Sequence, residues 1–336
     1  MSASRSAVAS YVPFLLRKAT RADLKNSALL SYYFVSAAPG IGRDLEATAM
    51  RAFLSARKTR GRTELFAADM DGAAGCLILE DKPWDSAMLS VATKSLTLVV
   101  GLSRGRSRSE IASRMLESSI DIHSGKSAGL VTTRIPADDT ELLQALEDHG
   151  FRVVVPMVTL GKTIEKSKFT FPRGTSISAL RPEDIDQIER IAATAFLWGR
   201  FSADPLVPAG AAEKVHRTWA RNCCLGTHAK HVLVARKGRE VLGFIALKFQ
   251  KAGAIEVGSI ELIATSEASR GMGIGRALVQ AGCNWLSTSV VQVVVRTELP
   301  NVSALRMYEA QGFRVLNGSL YLSHWQGGAT THLAGK

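Results

Sequence analysis

Cysteine is scarce in this sequence, four residues in 336. Cys76 and Cys283 stand alone and Cys223 and Cys224 are adjacent, which excludes a secreted disulfide framework and a CxxC metal pair and fits a reducing cytoplasm. Long apolar runs are missing too. The longest, residues 95–102 (SLTLVVGL), has the length of a strand, against the roughly 20 residues that span a bilayer, so no membrane is expected as a partner. The first residues hold one arginine and a short mixed stretch broken by Pro13, a poor signal peptide, and are expected to be a mature cytosolic start. Metal-ligand spacing is absent: His216, His228 and His231 have no carboxylate or cysteine at the right distance and are expected on the surface or in strands, so no metal is implied. Also absent is a basic tail or a pattern of aromatic residues between lysines and arginines. The net charge of +12 is spread evenly, +5 over residues 1–170 and +7 over 171–336, which suits a polyphosphate ligand and gives no nucleic acid a motif to be read by.

At 336 residues the chain predicts two domains. The polar, basic, Pro/Gly-ended segment 161–174 (GKTIEKSKFTFPRG) is the best boundary, giving residues 1–166 and 167–336. The two halves end alike. Residues 129–155 give a β-branched strand, a polar turn, an amphipathic helix, Gly150-Phe151 and a strand; residues 290–316 repeat that order through Gly312-Phe313. A mixed α/β fold built from two diverged copies of one module is expected.

The richest segment follows an apolar strand ending at Thr265. After a polar turn the chain reads Arg270-Gly271-Met272-Gly273-Ile274-Gly275-Arg276, and Leu278, Ala281, Gly282, Trp285 and Leu286 then form one helical stripe. Three glycines let backbone N–H groups approach an anion at the positive end of that helix, so a diphosphate is the natural ligand. A P-loop needs Lys and Ser/Thr after its last glycine, where Arg276-Ala277 stands; a dinucleotide fingerprint needs glycine at 276, although Glu298 imitates its ribose-binding acid. A turn that only packs helix on strand is the plain alternative. Inside the strand Glu261 is the single charge, a candidate base or else the partner of an arginine on the sheet.

The spacing of Arg270, Gly273 and Gly275 to Asn301, Ala304, Tyr308 and Gly312-Phe313 resembles the GNAT superfamily of acyl-CoA-dependent N-acetyltransferases, over residues 175–325. The resemblance implies acetyl-CoA as co-substrate, its pantetheine on Ile263, Ala264 and Thr265 and its diphosphate on Arg270, Gly271, Gly273, Gly275 and Arg276, with Asn301 capping the next helix and meeting the cofactor. It also implies that Tyr308 protonates the departing thiolate. A phenol with an ordinary pKa near 10 can serve a thiolate of about 8.5.

A narrower likeness is carried by residues 196–205 (FLWGRFSADP), by Trp219 and Asn222, by residues 321–325 (YLSHW) and by residues 83–86 (PWDS); it is similar to the dTDP-fucosamine N-acetyltransferase group. This implies a nucleotide-linked amino sugar as the amine acceptor, with Arg200, Phe201, Asp204 and Trp219 as substrate residues and Arg200 facing a second diphosphate. A small amine or a protein N-terminus is the second acceptor, and a non-catalytic acyl-CoA-binding module the rival; a homodimer is left open. The first half resembles a GNAT module without its chemistry: Leu146 stands where Tyr308 does, Asp139 where Asn301 does, and one glycine among Arg104, Arg106 and Arg108 where the phosphate loop would be. It is expected to buttress the active half, unless those arginines still hold a phosphate.

Overall fold

In a computed structural model of the chain, residues 15–17, 62–69, 72–100, 107–123, 129–164, 166, 171–252 and 255–326 are described. Arg104 and Arg106 lie outside them. The first half holds β1 (Leu15–Arg17), β2 (Arg62–Asp69), β3 (Gly72–Asp81), α1 (Pro83–Leu89), β4 (Ala92–Val100), α2 (Arg108–His123), β5 (Gly129–Pro136), α3 (Thr140–Asp148) and β6 (Arg152–Thr163). The second holds β7 (Ser176–Ala179), α4 (Ile185–Ala195), α5 (Arg200–Ala203), α6 (Ala211–Cys224), β8 (His231–Lys237), β9 (Glu240–Ala252), β10 (Ile255–Thr265), α7 (Ile274–Leu286), β11 (Gln292–Glu298), α8 (Val302–Glu309) and β12 (Arg314–Trp325).

All twelve described strands join one mixed sheet in the order β1-β2-β3-β4-β5-β12-β6-β11-β10-β9-β8-β7. Around α7 the crossover gives the parallel pair β10–β11, as its length and position predict. The pair β4–β5 around α2 is parallel too. The closing strands change places: β6 lies between β12 and β11, and β12 pairs with β5. The sequence boundary near residue 166 is thus not a break in the sheet.

Alternation along the strands sorts residues to two faces. On one face Leu98, Val131, Ile135 and Leu322 pack with Ile111 and Met115 of α2 and Leu142 and Leu146 of α3. On that same face Leu160, Val293 and Val295 pack with Leu278 and Leu286 of α7 and with Tyr308 and Phe313. Gly282 brings α7 down onto β9, since a Cβ there would stand 3.0 Å from Ile245 and 3.2 Å from Leu247. On the opposite face Ile188 and Ala192 of α4 and Ala220 and Cys223 of α6 cover Phe244, Ala246 and Leu262.

The inferred repeat extends to individual hydrogen bonds. Asp139 caps α3 by accepting from Leu142 N–H, and Asn301 caps α8 by accepting from Ala304 N–H. Phe151 N–H donates to Leu146 O and Phe313 N–H to Tyr308 O, after Gly150 and Gly312 at φ of 82° and 84°. Arg152 and Arg314 then repeat the same donation to the helix-end carbonyls of Glu147 and Glu309.

Candidate active site

The site begins where two parallel strands part. Pairing of β10 with β11 runs from Gly258↔Val293 to Ile260↔Val295 and stops there, although β10 continues to Thr265 and β11 to Glu298. A bulge at Glu261 marks the parting, and beyond it Leu262 to Thr265 stay paired with β9 on their other edge. Every second amide of residues 261–265 therefore faces an open gap. Ile263, Ala264 and Thr265, the residues expected to hold a pantetheine, lie along it.

Beyond Thr265 the polar turn is fixed from within. Ser269 is buried, its hydroxyl donates to Leu242 O (2.7 Å) and the Ser266 hydroxyl donates to it (2.8 Å). The chain then passes Arg270, takes a left-handed step at Gly271 (φ 77°) and another at Gly273 (φ 79°), the residue that precedes α7. Gly273 offers α7 no capping side chain, so the N–H groups of Ile274, Gly275 and Arg276 point out of the first turn without intrahelical acceptors. A Cβ at Gly271 would meet nothing within 4 Å, so the space above the turn is open. An anion placed there meets backbone donors and a helix dipole, and Arg270 and Arg276 border the same cleft.

Tyr308 closes the gap from α8. It is 2% exposed, its ring tilts against Phe313 at 5.3 Å, and burial, with Cys283 and Glu298 adding to it, pushes its phenol well above the ordinary value. The residue is a proton donor rather than an anion at neutral pH. Asn301 caps α8 at the edge of the same cleft.

The gap and the glycine turn belong to a cleft of about 1480 Å³ that extends to α4–α6 and is lined by residues of both halves. Here the short motifs converge. Arg200 donates to the Tyr321 hydroxyl (2.9 Å), pairs with Asp85 (3.3 Å), and lies over the rings of Phe201 (4.3 Å) and Tyr321 (5.0 Å). It is thus already engaged rather than open to a diphosphate. Phe201 is buried against Leu89 and Leu130, and Trp219 lines the cleft with an indole N–H that has no partner among the described residues. Asp204 is a correction. It is buried away from the cleft and its carboxylate accepts from Ser323 Oγ (2.8 Å), Trp325 Nε1 (3.0 Å) and Leu206 N–H (3.0 Å), so it ties the loop to β12 and has little left for a substrate.

Glu261 borders the cleft with its carboxylate paired to Lys248, a lysine where an arginine had been the expected alternative. Sequence reasoning took the second carboxylate only as an imitation of a ribose-binding acid. Glu298 ends β11 beside the gap; burial pushes its carboxyl up, against the pull of its own backbone N–H and of Thr297. His216, expected on the surface, is 5% exposed on α6: it stacks on Phe196 (4.9 Å), and burial pushes its ring down to about 4, so it is neutral. A Cβ at Gly199 would stand 3.3 Å from His216 Nε2 and 3.8 Å from Glu298 Oε1, so both side chains lie close to that glycine. Two arginines, Arg134 and Arg296, were passed over; each is the lone basic residue in a β-branched strand, a pattern that a solvated sheet face gives equally. The thiols of Cys223 and Cys224 are each pushed up to about 12 by burial and are packing residues. Among the described residues no group of His, Cys, Asp or Glu is gathered to hold a metal ion.

Comparison with known proteins bears on this geometry. Residues 191–313, from α4 through the glycine turn to Phe313, match the acetyltransferase (GNAT) family. The chain is 23% identical over 265 residues to the spore coat polysaccharide biosynthesis protein SpsD of Bacillus subtilis, covering 75% of this chain and 84% of that protein. It is 28% identical over 208 residues to the mycothiol acetyltransferase of a Nocardioides species, covering 56% and 68%. In fold, a tandem GNAT protein from the clavulanic acid biosynthesis pathway superposes with a TM-score of 0.54 at 13% identity, over 94% of this chain and 99% of that one. GNAT proteins draw their acetyl group from acetyl-CoA. The parted strands, the glycine turn and Tyr308 all lie inside the segment that matches the GNAT acetyltransferase family, and the match together with the acetyltransferase relative supports an acyl-CoA-dependent N-acetyltransferase.

Proposed function

We propose that this protein transfers the acetyl group of acetyl-CoA to the primary amine of a nucleotide-linked amino sugar. The observation that carries the reading is the gap between β10 and β11, which joins the glycine turn to the cleft bordered by α4 and α6. Acetyl-CoA enters from the α7 side, with its diphosphate on Gly271 to Arg276 and its pantetheine along residues 263–265. The amine comes from the α4–α6 side. It attacks the thioester carbonyl, open-edge amides of β10 stabilise the oxyanion, and Tyr308 gives its proton to the leaving thiolate. Before attack the ammonium must lose a proton. Of the two carboxylates at the gap, Glu298 suits that step better, since burial brings it nearer the working pH while Glu261 is committed to Lys248.

The amino-sugar acceptor is supported by the gathering of Asp85, Arg200 and Tyr321, from three separated motifs, at one wall of the cleft. The names of the two curated relatives, a polysaccharide biosynthesis protein and a mycothiol acetyltransferase, are compatible with it. Free thiols at Cys223, Cys224 and Cys283 suit a reducing cytoplasm. The test is release of free thiol from acetyl-CoA against a panel of nucleotide amino sugars, free amino sugars, polyamines and peptides. Fastest release with the nucleotide sugars is expected; a peptide or polyamine preference overturns the acceptor, and binding without release leaves only an acyl-CoA-binding module. Glu298→Gln is expected to remove the rise of kcat/KM with pH that a carboxylate base produces, whereas the same loss in Glu261→Gln alone returns the base to Glu261.

A further inference from the structure

Most charges around the cleft are matched. Arg200 is paired with Asp85, Lys248 with Glu261, and Lys82 lies 3.8 Å from Glu80. Arg134 and Arg296 are different. Among the described residues neither makes an ion pair or a side-chain hydrogen bond, yet both border the cleft. Arg134 alternates with the core residues Val131 and Ile135 of β5, and Arg296 with Val293 and Val295 of β11, so both stand on the face away from α7 and the glycine turn. Their strands are separated in the sheet by β12 and β6, and both side chains are exposed to the cleft. Desolvation by the surrounding cleft walls, then the charges of Arg296 and Arg200, lower Arg134 to about 10, and desolvation lowers Arg296, with only Glu261, already shared with Lys248, acting the other way.

Two unmatched guanidiniums exposed to one wetted cleft form a receptor for an anion: their forked N–H donors fit phosphate oxygens in pairs, and bound negative charge matches theirs. The cofactor's own diphosphate is drawn to the other face of the sheet, so this anion arrives with the acceptor. Resting on the acetyl-transfer reading above, we propose that Arg134 and Arg296 clamp the phosphate or diphosphate of the acceptor, one arginine from each half of the chain. Arg200, held by Asp85 and Tyr321, forms the wall beside them. The clamp explains the choice of acceptor: a neutral amino sugar leaves both guanidiniums without a partner.

The experiment is calorimetric titration of inorganic pyrophosphate into the full chain saturated with coenzyme A, which fills the glycine turn, with malonate and uridine diphosphate as parallel ligands. Pyrophosphate and uridine diphosphate are expected to bind, more weakly as salt rises. Arg134→Gln and Arg296→Gln are each expected to weaken them about 10-fold or more, with acetyl-CoA affinity and melting temperature kept. Unchanged pyrophosphate affinity in both variants overturns the clamp, as does failure of the unaltered chain to bind pyrophosphate. Malonate binding as tightly as pyrophosphate overturns the choice of phosphate over carboxylate. Loss of acetyl-CoA binding by the unaltered chain counts against the function itself, a result the pyrophosphate arm does not produce.

Discussion

Both halves carry a parallel strand pair that parts midway, and they differ in what fills the opening. In the second half β10 and β11 separate after Ile260 and Val295, and the turn that follows is made of glycines with outward N–H groups. In the first half β4 and β5 separate after Leu96 and Thr133, although β4 runs on to Val100 and β5 to Pro136. There the first residue of α2 is Arg108, whose guanidinium turns inward, donates to Val100 O (3.2 Å) and grips Asp139 with two bonds of 2.9 and 2.6 Å, both side chains buried. Asp139 corresponds to Asn301 and Leu146 to Tyr308. The arginine that had been a candidate phosphate ligand is thus consumed inside the protein, and an ion pair occupies the ground that the other half leaves open. The lesson is that the parted strands are a property of the module, and that chemistry depends on whether the helix start is glycine or arginine.

Each way of breaking this contrast has an expected size. Asp139→Leu removes the buried carboxylate from the Arg108 guanidinium, which keeps the half-exposed Glu141 at 3.6 Å, and removes the α3 cap; stability should fall by about 3–5 kcal/mol in denaturant titration, with much of it restored in the Arg108→Met/Asp139→Leu pair. A small loss would mean that the ion pair is not what fills the first opening. Tyr308→Phe keeps the ring and removes the proton. Turnover is expected to drop roughly 100- to 1,000-fold with acetyl-CoA affinity unchanged in equilibrium binding, and retention of turnover removes the acid assignment. Gly273→Ala puts a Cβ on a left-handed residue at a cost of about 1–2 kcal/mol, which should appear as roughly ten-fold weaker acetyl-CoA binding. Equal binding would reduce the glycine to a packing convenience.

Sequence revealed the features that are local. The glycine turn, the stripe of α7, the Asn301 cap and the repeat around Gly150 and Gly312 each lie within a few residues of chain, where spacing and periodicity act directly. What it concealed depends on partners far along the chain. The exchange of β6 and β12 leaves no trace in either strand, because pairing partners are chosen across the sheet. His216 sits on a mainly polar helix, and only the closing of Phe196 over it makes it a core residue. Asp204 stood in a stretch singled out as a motif, and a motif does not say which way a carboxylate turns. Arg134 and Arg296 acquire meaning only when β5 and β11 contribute to one cleft.

The exchanged closing strands also constrain how ligands come and go. Two lobes on a tether can rock open about a hinge; here such a movement would have to unzip the ladder of β12 on β5 or of β6 on β11. Entry and exit therefore take place through a fixed mouth, and the distance between one lobe's arginine and the other's is set like the jaws of a rigid gauge.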